Sequence, residues 1–403
     1  VSDAAAPDAA AERPSPPPPP AAEPGRHDLE LLETRRIVPA AGLPAAAAVG
    51  QANNNLDVVR HDDGRVYLAF RTAPDHFASN GVALVVLSSA DEQTWSLEGR
   101  YTRGTDLREP RLLSFGGTLF LTAAVLGSKA GAFEPQGVVR AEKPPGATLG
   151  PLVDLGWPPY IVWRTRIERG RPYMVRYLGG EHIYRFDGQP LAIELLGSAD
   201  GRAWAPVDAT RPAVAQGGGS EADFTFADDG SLLAVIRNEA GDDSGWGSKI
   251  CHAPPGQPAA WTCTSDPRKF DSPLMFWWDG EAYLVARRNL TPTGNFDLGA
   301  GIAPGTDPNA RVTRTLANQL DYLQRPKRCS IWRFIPAENR IAFVLDLPSR
   351  GDTCFPAWLP GPTPDTVVIY NYSSDLDGPE LSWSEGQAAP TFIYRHVLRL
   401  RAR

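Results

Sequence analysis

Cysteine is scarce in this chain, four residues in 403, and none falls in a Cys-x-x-Cys or Cys/His spacing. That argues against a structural metal site of the zinc-ribbon or finger kind. It leaves two pairs as candidates for disulfides, at least one of which should form. Cys251 and Cys263 flank one expected hairpin, and Cys329 and Cys354 stand near the starts of two successive strand groups. No run has the length and apolarity of a membrane-crossing helix. Basic runs and aromatic-basic ribbons are also missing, and the formal charge is −7, which argues against a nucleic-acid partner. No long window keeps a helical period, so a helical fold is disfavoured. No metal or organic cofactor is implied.

What the chain has instead is turn chemistry and indole: 38 Gly, 39 Pro and 11 Trp favour many short strands over long helices. Residues 1–27, rich in Ala and Pro with the run Pro16–Pro20, read as a disordered or polyproline-like tether. Behind a removed export signal, such a tether suits a secreted or envelope-attached protein. Residues 28–403 then form one domain.

Within that domain one outline recurs. Ser220 to Glu239 reads as an acidic strand start, an Asp-Asp-Gly turn and an apolar strand ending in Arg237 and Asn238. Looser copies turn at Asp62-Asp63-Gly64, Gly116-Gly117, Arg169-Gly170 and Asp279-Gly280, and a last one spans Asp352 to Leu400. No copy is large enough to bury its own apolar face, so the copies must stack. The expected fold class is all-β, a six-bladed β-propeller of roughly four-stranded blades. The last unit is a strand short, so Leu29–Val38 should pair with the C-terminal strand and close the ring. A five-bladed propeller with a sandwich is the other architecture that fits.

The innermost strands of a propeller line a central channel, and this chain repeatedly puts charge at their ends. Asp57, Glu109, Arg111, Arg164, Glu221, Asp271 and Asp352 stand at strand starts, and Arg71, Arg237 and Arg288 at the ends of neighbouring strands. Arginine forks grip anionic or hydroxylated ligands, and carboxylates carry acid–base work. Trp157, Tyr160, Trp163, Trp277 and Trp278 offer faces for sugar stacking or for packing between blades. Asn289-Leu290-Thr291 and Asn371-Tyr372-Ser373 fit glycosylation sequons.

Ser88 to Trp95 and Ser198 to Trp204 resemble degenerate Asp boxes, the turn motif of sialidases and related propellers. In that turn Ser and Asp satisfy backbone groups and Trp packs between strands. The resemblance to sialidases extends through most of residues 53–374. Ala69-Phe70-Arg71 with Asp75 resembles the segment carrying a sialidase arginine and the general acid, and Glu221 with Arg237 the segment carrying the activating Glu and a substrate arginine. Arg328 is the matching last arginine, with Arg288 as its substitute. The chain departs from the pattern at Gln51–Asn55, where an Arg would stand, and after Gly351, where Asp352-Thr353-Cys354 replaces the nucleophilic Tyr; Tyr372 has the local Tyr-Ser form one strand later.

The resemblance implies an exported glycoside hydrolase acting on a glycan or glycoside. Asp75 would protonate the leaving oxygen, Glu221 would serve as base or nucleophile or activate a Tyr such as Tyr372, and Arg71, Arg237 and Arg328 would hold the substrate. Glu109, Arg111, Asp271 and Asp352 stand behind these, the last two also fitting an arabinanase-like set of acids, and His76 could bind a hydroxyl. Two alternatives remain open: a non-catalytic propeller binding glycan or protein at the same mouth, and a polysaccharide lyase using His76 or Tyr372 as base.

Overall fold

A computed structural model describes residues 16–179, 182, 184, 185, 187, 189–299 and 307–403. Residues 1–15 of the expected tether lie outside the described residues. Residues 16–25 form no helix or strand, but the last of them are held: Glu23 N donates to Phe343 O at 3.2 Å and its carboxylate pairs with Arg340 at 2.8 Å. The first strand, β1 (His27–Val38), follows directly.

The strands then run in chain order through successive sheets. β2 (Ala52–Arg60), β3 (Val66–Ala73), β4 (Ala83–Ser89) and β5 (Ser96–Tyr101) pair consecutively, as do β6 (Leu107–Phe115), β7 (Thr118–Val125), β8 (Gly137–Lys143) and β9 (Val153–Asp154). β10 (Tyr160–Glu168), β11 (Arg171–Leu178), β12 (Leu191–Ser198) and β13 (Trp204–Pro206) make a third group, with β14 (Ala213–Gly217) added to β12. β15 (Ala222–Phe226), β16 (Leu232–Asp242), β17 (Gly245–Ala253) and β18 (Thr262–Asp266) make the fourth. The fifth is β19 (Asp271–Trp278), β20 (Glu281–Asn289), β21 (Lys327–Ile335) and β22 (Arg340–Leu347), interrupted after β20 by helix α1 (Pro308–Gln324). Last come β23 (Ala357–Pro360), β24 (Thr366–Ser374), the short helix α2 (Trp383–Ala388) and β25 (Thr391–Ala402).

The arrangement is that of a mostly β propeller. Every residue of β3 is buried, because the strand is covered on both faces by neighbouring sheets. Tyr67, Ala69 and Val86 pack on Leu112, Leu119 and Leu121 of the next sheet. Leu233 and Val235 likewise pack on Met275 and Leu284, and Leu274 and Val285 on Val367 and Leu398. Each Leu, Val or Met among them contributes about 1.5–3 kcal/mol when fully buried. β25 pairs with β24 on one edge and along its length with β1 on the other, from His27↔Ala402 to Val38↔Ile393. A parallel pairing, Ala52↔Thr391, also ties β25 to β2, so one sheet counts eight strands.

The turns explain the hairpins. Gly64, between β2 and β3, has φ 80°, and Gly230, between β15 and β16, has φ 89°, a region open to glycine at no steric cost. In the β4–β5 turn Asp91 Oδ1 accepts from Gln93 N and Thr94 N, both at 2.8 Å, and Ser89 Oγ accepts from Glu92 N at 2.8 Å. The β12–β13 turn repeats the geometry with Asp200, Arg202 N, Ala203 N, Ser198 and Gly201 N.

Helix α1 corrects the expectation of strands and turns alone in this region. Its N-cap Asp307 accepts from Asn309 N and Pro308 takes the first turn, a start signal that its sparse apolar pattern conceals. Among the described residues no helix is long and apolar enough to cross a membrane.

Both cysteine pairs are joined, Cys251 to Cys263 across β17–β18 and Cys329 to Cys354. The first closes a 12-residue separation. Replacing both of its cysteines by Ser is expected to lower unfolding stability by about 3 kcal/mol from loop-closure entropy. Urea denaturation of the variant against the parent measures it, and an unchanged midpoint would contradict it.

Candidate functional site

The inner strands carry bulges where they approach the mouth. Register slips fall between Asn54 and Leu56, Arg108 and Arg111, and Asp271 and Leu274. Each slip contains a non-glycine residue in the left-handed region: Asn55 at φ 45°, Glu109 at 55° and Ser272 at 53°. Left-handed backbone at such residues costs on the order of 1–3 kcal/mol each, and it recurs here because a bulge turns side chains out of the ladder. All three line one cavity of about 390 Å³ at the mouth. A larger groove of about 1140 Å³ beside Leu290 and Glu380 contains no comparable set of buried charges.

The cavity floor is a network of buried carboxylates and arginines. Arg237 lies between Glu221, at 2.7 Å, and Glu239, at 2.9 Å. The other Glu221 oxygen accepts from Ser272 N at 2.7 Å. Behind them Asp271 accepts from Arg287 at 2.9 Å and from the Tyr322 hydroxyl at 2.7 Å, with Lys269 at 3.4 Å. These surroundings separate the two acids. Burial pushes Glu221 up to about 7 against the opposing charge of Arg237. Burial also acts on Asp271, but Lys269, Arg287 and Arg237 outweigh it and hold that carboxyl down at about 2. Glu109 is raised by burial, with Arg111 and Arg108 opposing.

Among the described residues two acceptors on this floor accept no hydrogen bond, although Arg111 stands 3.9 Å from one of them, Glu109 Oε2. Asn55 gives its amide N–H to Glu109 Oε1 at 3.0 Å, yet Asn55 Oδ1 and Glu109 Oε2 are both buried without a hydrogen bond. Such atoms are expensive to leave unmet, so they mark where hydroxyl donors fit.

One side wall joins residues 276 positions apart. His76 Nδ1 lies 2.7 Å from Asp352 Oδ2. Asp352 is fully buried, and its other oxygen accepts from Tyr372 Oη at 2.8 Å and Trp383 Nε1 at 3.0 Å. Burial opposes ionisation of Asp352, but His76 and Arg287 outweigh it and keep its pKa below the usual carboxylate value. An ionised carboxylate only accepts, so His76 donates through Nδ1, and in the neutral ring Nε2 is the acceptor nitrogen. Burial and the Asp352 charge raise the Tyr372 hydroxyl well above its ordinary value.

The residues expected from sequence separate into three places. Glu221, Arg237, Glu109, His76 and Tyr372 line the cavity. Asp271, Asp352 and Arg111 lie buried just behind it, the guanidinium of Arg111 between Trp163 and Phe355 at 4.9 and 4.5 Å. The remaining four point elsewhere. Asp75 accepts from Phe77 N at 2.9 Å and does not line the cavity. Arg328 pairs with Glu380 and Arg288 with Asp346, each at 2.9 Å. Arg71 is fully buried on Asp106 at 2.8 Å and donates to the carbonyls of Asp75 and Phe77.

Arg71 therefore holds the segment that presents His76, and Arg108 assists by binding Asp106 and the His76 carbonyl. Asp106→Asn leaves both arginines without their buried counter-charge. It is expected to cost about 3–5 kcal/mol in urea unfolding; a loss under 1 kcal/mol would contradict the pairing.

Sequence reading missed Arg287, Glu239, Ser272, Trp383 and the whole of α1. Glu109-Pro110 and Ser272-Pro273 were the available signal, since Pro fits a strand at a bulge, where the ladder bond is already lost. Among the described residues no three His, Cys, Asp or Glu converge as a metal site.

The fold is that of a sialidase-like β-propeller. No family profile and no curated protein matches the chain by sequence. Among solved structures it is similar to a protein of unknown function from Dyadobacter fermentans, with TM-score 0.59 and 15% identity over 93% of this chain and 99% of that one. It is also similar to Trypanosoma rangeli sialidase in complex with the inhibitor DANA, with TM-score 0.56 and 14% identity over 87% of this chain. The chain spans 55% of that sialidase. A third similar structure is the endosialidase of phage phi92, with TM-score 0.54 and 10% identity over 94% of this chain and 70% of that one.

Proposed function

We propose that the chain is an exported glycoside hydrolase that cleaves the glycosidic bond of a neutral, polyhydroxylated sugar at the propeller mouth. The observation that carries this reading is that Glu221, raised by burial to about 7, and His76 line one cavity, while Asp271 just behind them is held at about 2. Glu221 gives its proton to the leaving oxygen. His76 Nε2 takes a proton from a water, whose hydroxyl bonds to the anomeric carbon as the glycosidic bond breaks, yielding the free sugar and an alcohol. Asp352 stabilises the imidazolium that forms, and Tyr372 and Trp383 orient Asp352.

Neutrality follows from the charges. Arg237 is occupied by Glu221 and Glu239, Arg287 by Asp271 and Arg108 by Asp106. A substrate carboxylate would have to displace these partners, whereas sugar hydroxyls can donate to Asn55 Oδ1 and Glu109 Oε2, which accept no hydrogen bond among the described residues.

The architecture we assign is one six-bladed domain that begins with His27, already paired in β1, behind the expected tether. The count takes the eight-stranded sheet as two blades, β2–β5 and β23–β25 with β1, joined by the parallel pair Ala52↔Thr391. The two Ser-Asp turns fit Asp boxes, and two disulfides support export to a secreted or envelope location.

The test is release of 4-nitrophenol from a panel of neutral and sialic-acid glycosides. Turnover of a neutral member, lost in Glu221→Gln, supports the reading. Turnover of the sialoside alone overturns the neutral-sugar assignment, and no turnover across the panel returns the chain to a binding propeller.

A further inference from the structure

Helix α1 turns its polar side to the protein and its leucines to the mouth. On the inward face, Thr315 accepts from Trp246 Nε1 at 2.8 Å and donates to Ala240 O at 3.0 Å, and Tyr322 donates to Asp271. On the other face Leu316, Leu320 and Leu323 follow one another at helical spacing and line the cavity. Leu316 is 48% exposed and Leu320 is 60% exposed. A helix ordinarily buries such a stripe and solvates its polar face. Gln319, within the stripe, reaches down to Glu239 at 2.7 Å, so the leucines stand directly above the charged floor. Leu126 and Phe133 also line this cavity.

The cavity thus has a floor of hydrogen-bonding groups and an apolar rim. We propose that the rim is the subsite for the aglycone, and that the substrates are glycosides of an apolar alcohol, an alkyl chain or an aromatic ring. This rests on the glycosidase reading, since the rim is assigned by its continuity with Glu221 and His76 in one cavity. The volume, about 390 Å³, suits one small amphiphile. The sugar meets the Asn55 and Glu109 acceptors below, and the leaving group lies along the leucines.

The test is binding of n-alkyl β-D-glucopyranosides and galactopyranosides, ethyl to octyl below their micelle concentrations, followed by calorimetry. Affinity should rise about two- to four-fold per added methylene. The double variant Leu316→Ser/Leu320→Ser should reduce the increment below about 1.5-fold. Both residues are exposed, so the fold should survive, and Leu298→Ser, at an equally exposed leucine outside the cavity, should keep the parental increment. A flat series, absent binding, or an increment unchanged in the double variant overturns the subsite. A concentration-dependent dimer abolished by the double variant also overturns it, because a second copy would then be what covers the stripe. Turnover is scored separately: a methylene increment without hydrolysis defeats the glycosidase reading, and hydrolysis without an increment defeats only the subsite.

Discussion

Glu221→Gln is expected to lower kcat/KM on the neutral glycoside by roughly 10²–10⁴-fold, the range typical of losing a general acid. The amide has one acceptor oxygen, which can serve Ser272 N or Arg237 but not both, and Arg237 keeps Glu239, so circular dichroism should match the parent. In the parent, activity should fall as pH rises through about 7, where Glu221 gives up the proton it must donate. Stability should move the same way. Folding raises the Glu221 pKa from 4.5 to about 7, so between those values the native state binds more protons than the unfolded chain. This contribution is fully present below about 4.5 and is lost as pH rises through about 7. At about 1.4 kcal/mol per pH unit it amounts to roughly 3 kcal/mol. Glu221→Gln should remove that part of the pH dependence and gain on the parent between pH 5 and pH 8 in urea titrations. A variant with parental turnover, or one whose turnover falls equally at every pH with altered dichroism, would count against Glu221 as the acid.

Asp352→Asn is expected to reduce turnover by a comparable factor through a different route. Asp352 accepts three hydrogen bonds, from His76, Tyr372 and Trp383. An amide of the same shape has one oxygen, which can serve Tyr372 and Trp383, and its NH₂ then faces His76 Nδ1. The imidazole must accept there and carry its proton on Nε2, toward the cavity, where it no longer functions as a base. Unfolding should lose only about 1–3 kcal/mol for the imperfect replacement. Nitrogen NMR of the imidazole reads the tautomer directly. An unchanged tautomer with full activity would remove His76 from the mechanism.

The hairpins and the candidate mouth were legible because their causes are local. Asp62-Asp63-Gly64 and Asp228-Asp229-Gly230 set turns within a few residues, and the charges beside them mark strand ends. Pairings across sheets were not legible. Nothing around Arg71 reveals that Asp106, 35 residues on, occupies it from the next sheet, or that Asp75 spends its carboxylate on Phe77 N. His76 and Asp352 meet only because the last blade adjoins the first. Helix α1 was hidden because its inward positions are Thr315, Asn318 and Tyr322, whose stabilising partners are hydrogen bonds that an apolar period does not register.

The ladder between β1 and β25 joins residues separated by nearly the whole chain. During synthesis the first strand emerges from the ribosome hundreds of residues before its partner and must stay unpaired until β25 appears. A nascent chain cannot complete this ring early. The same topology makes the final strand decisive: a product truncated before Thr391 leaves the edges of both β1 and β24 without their partner.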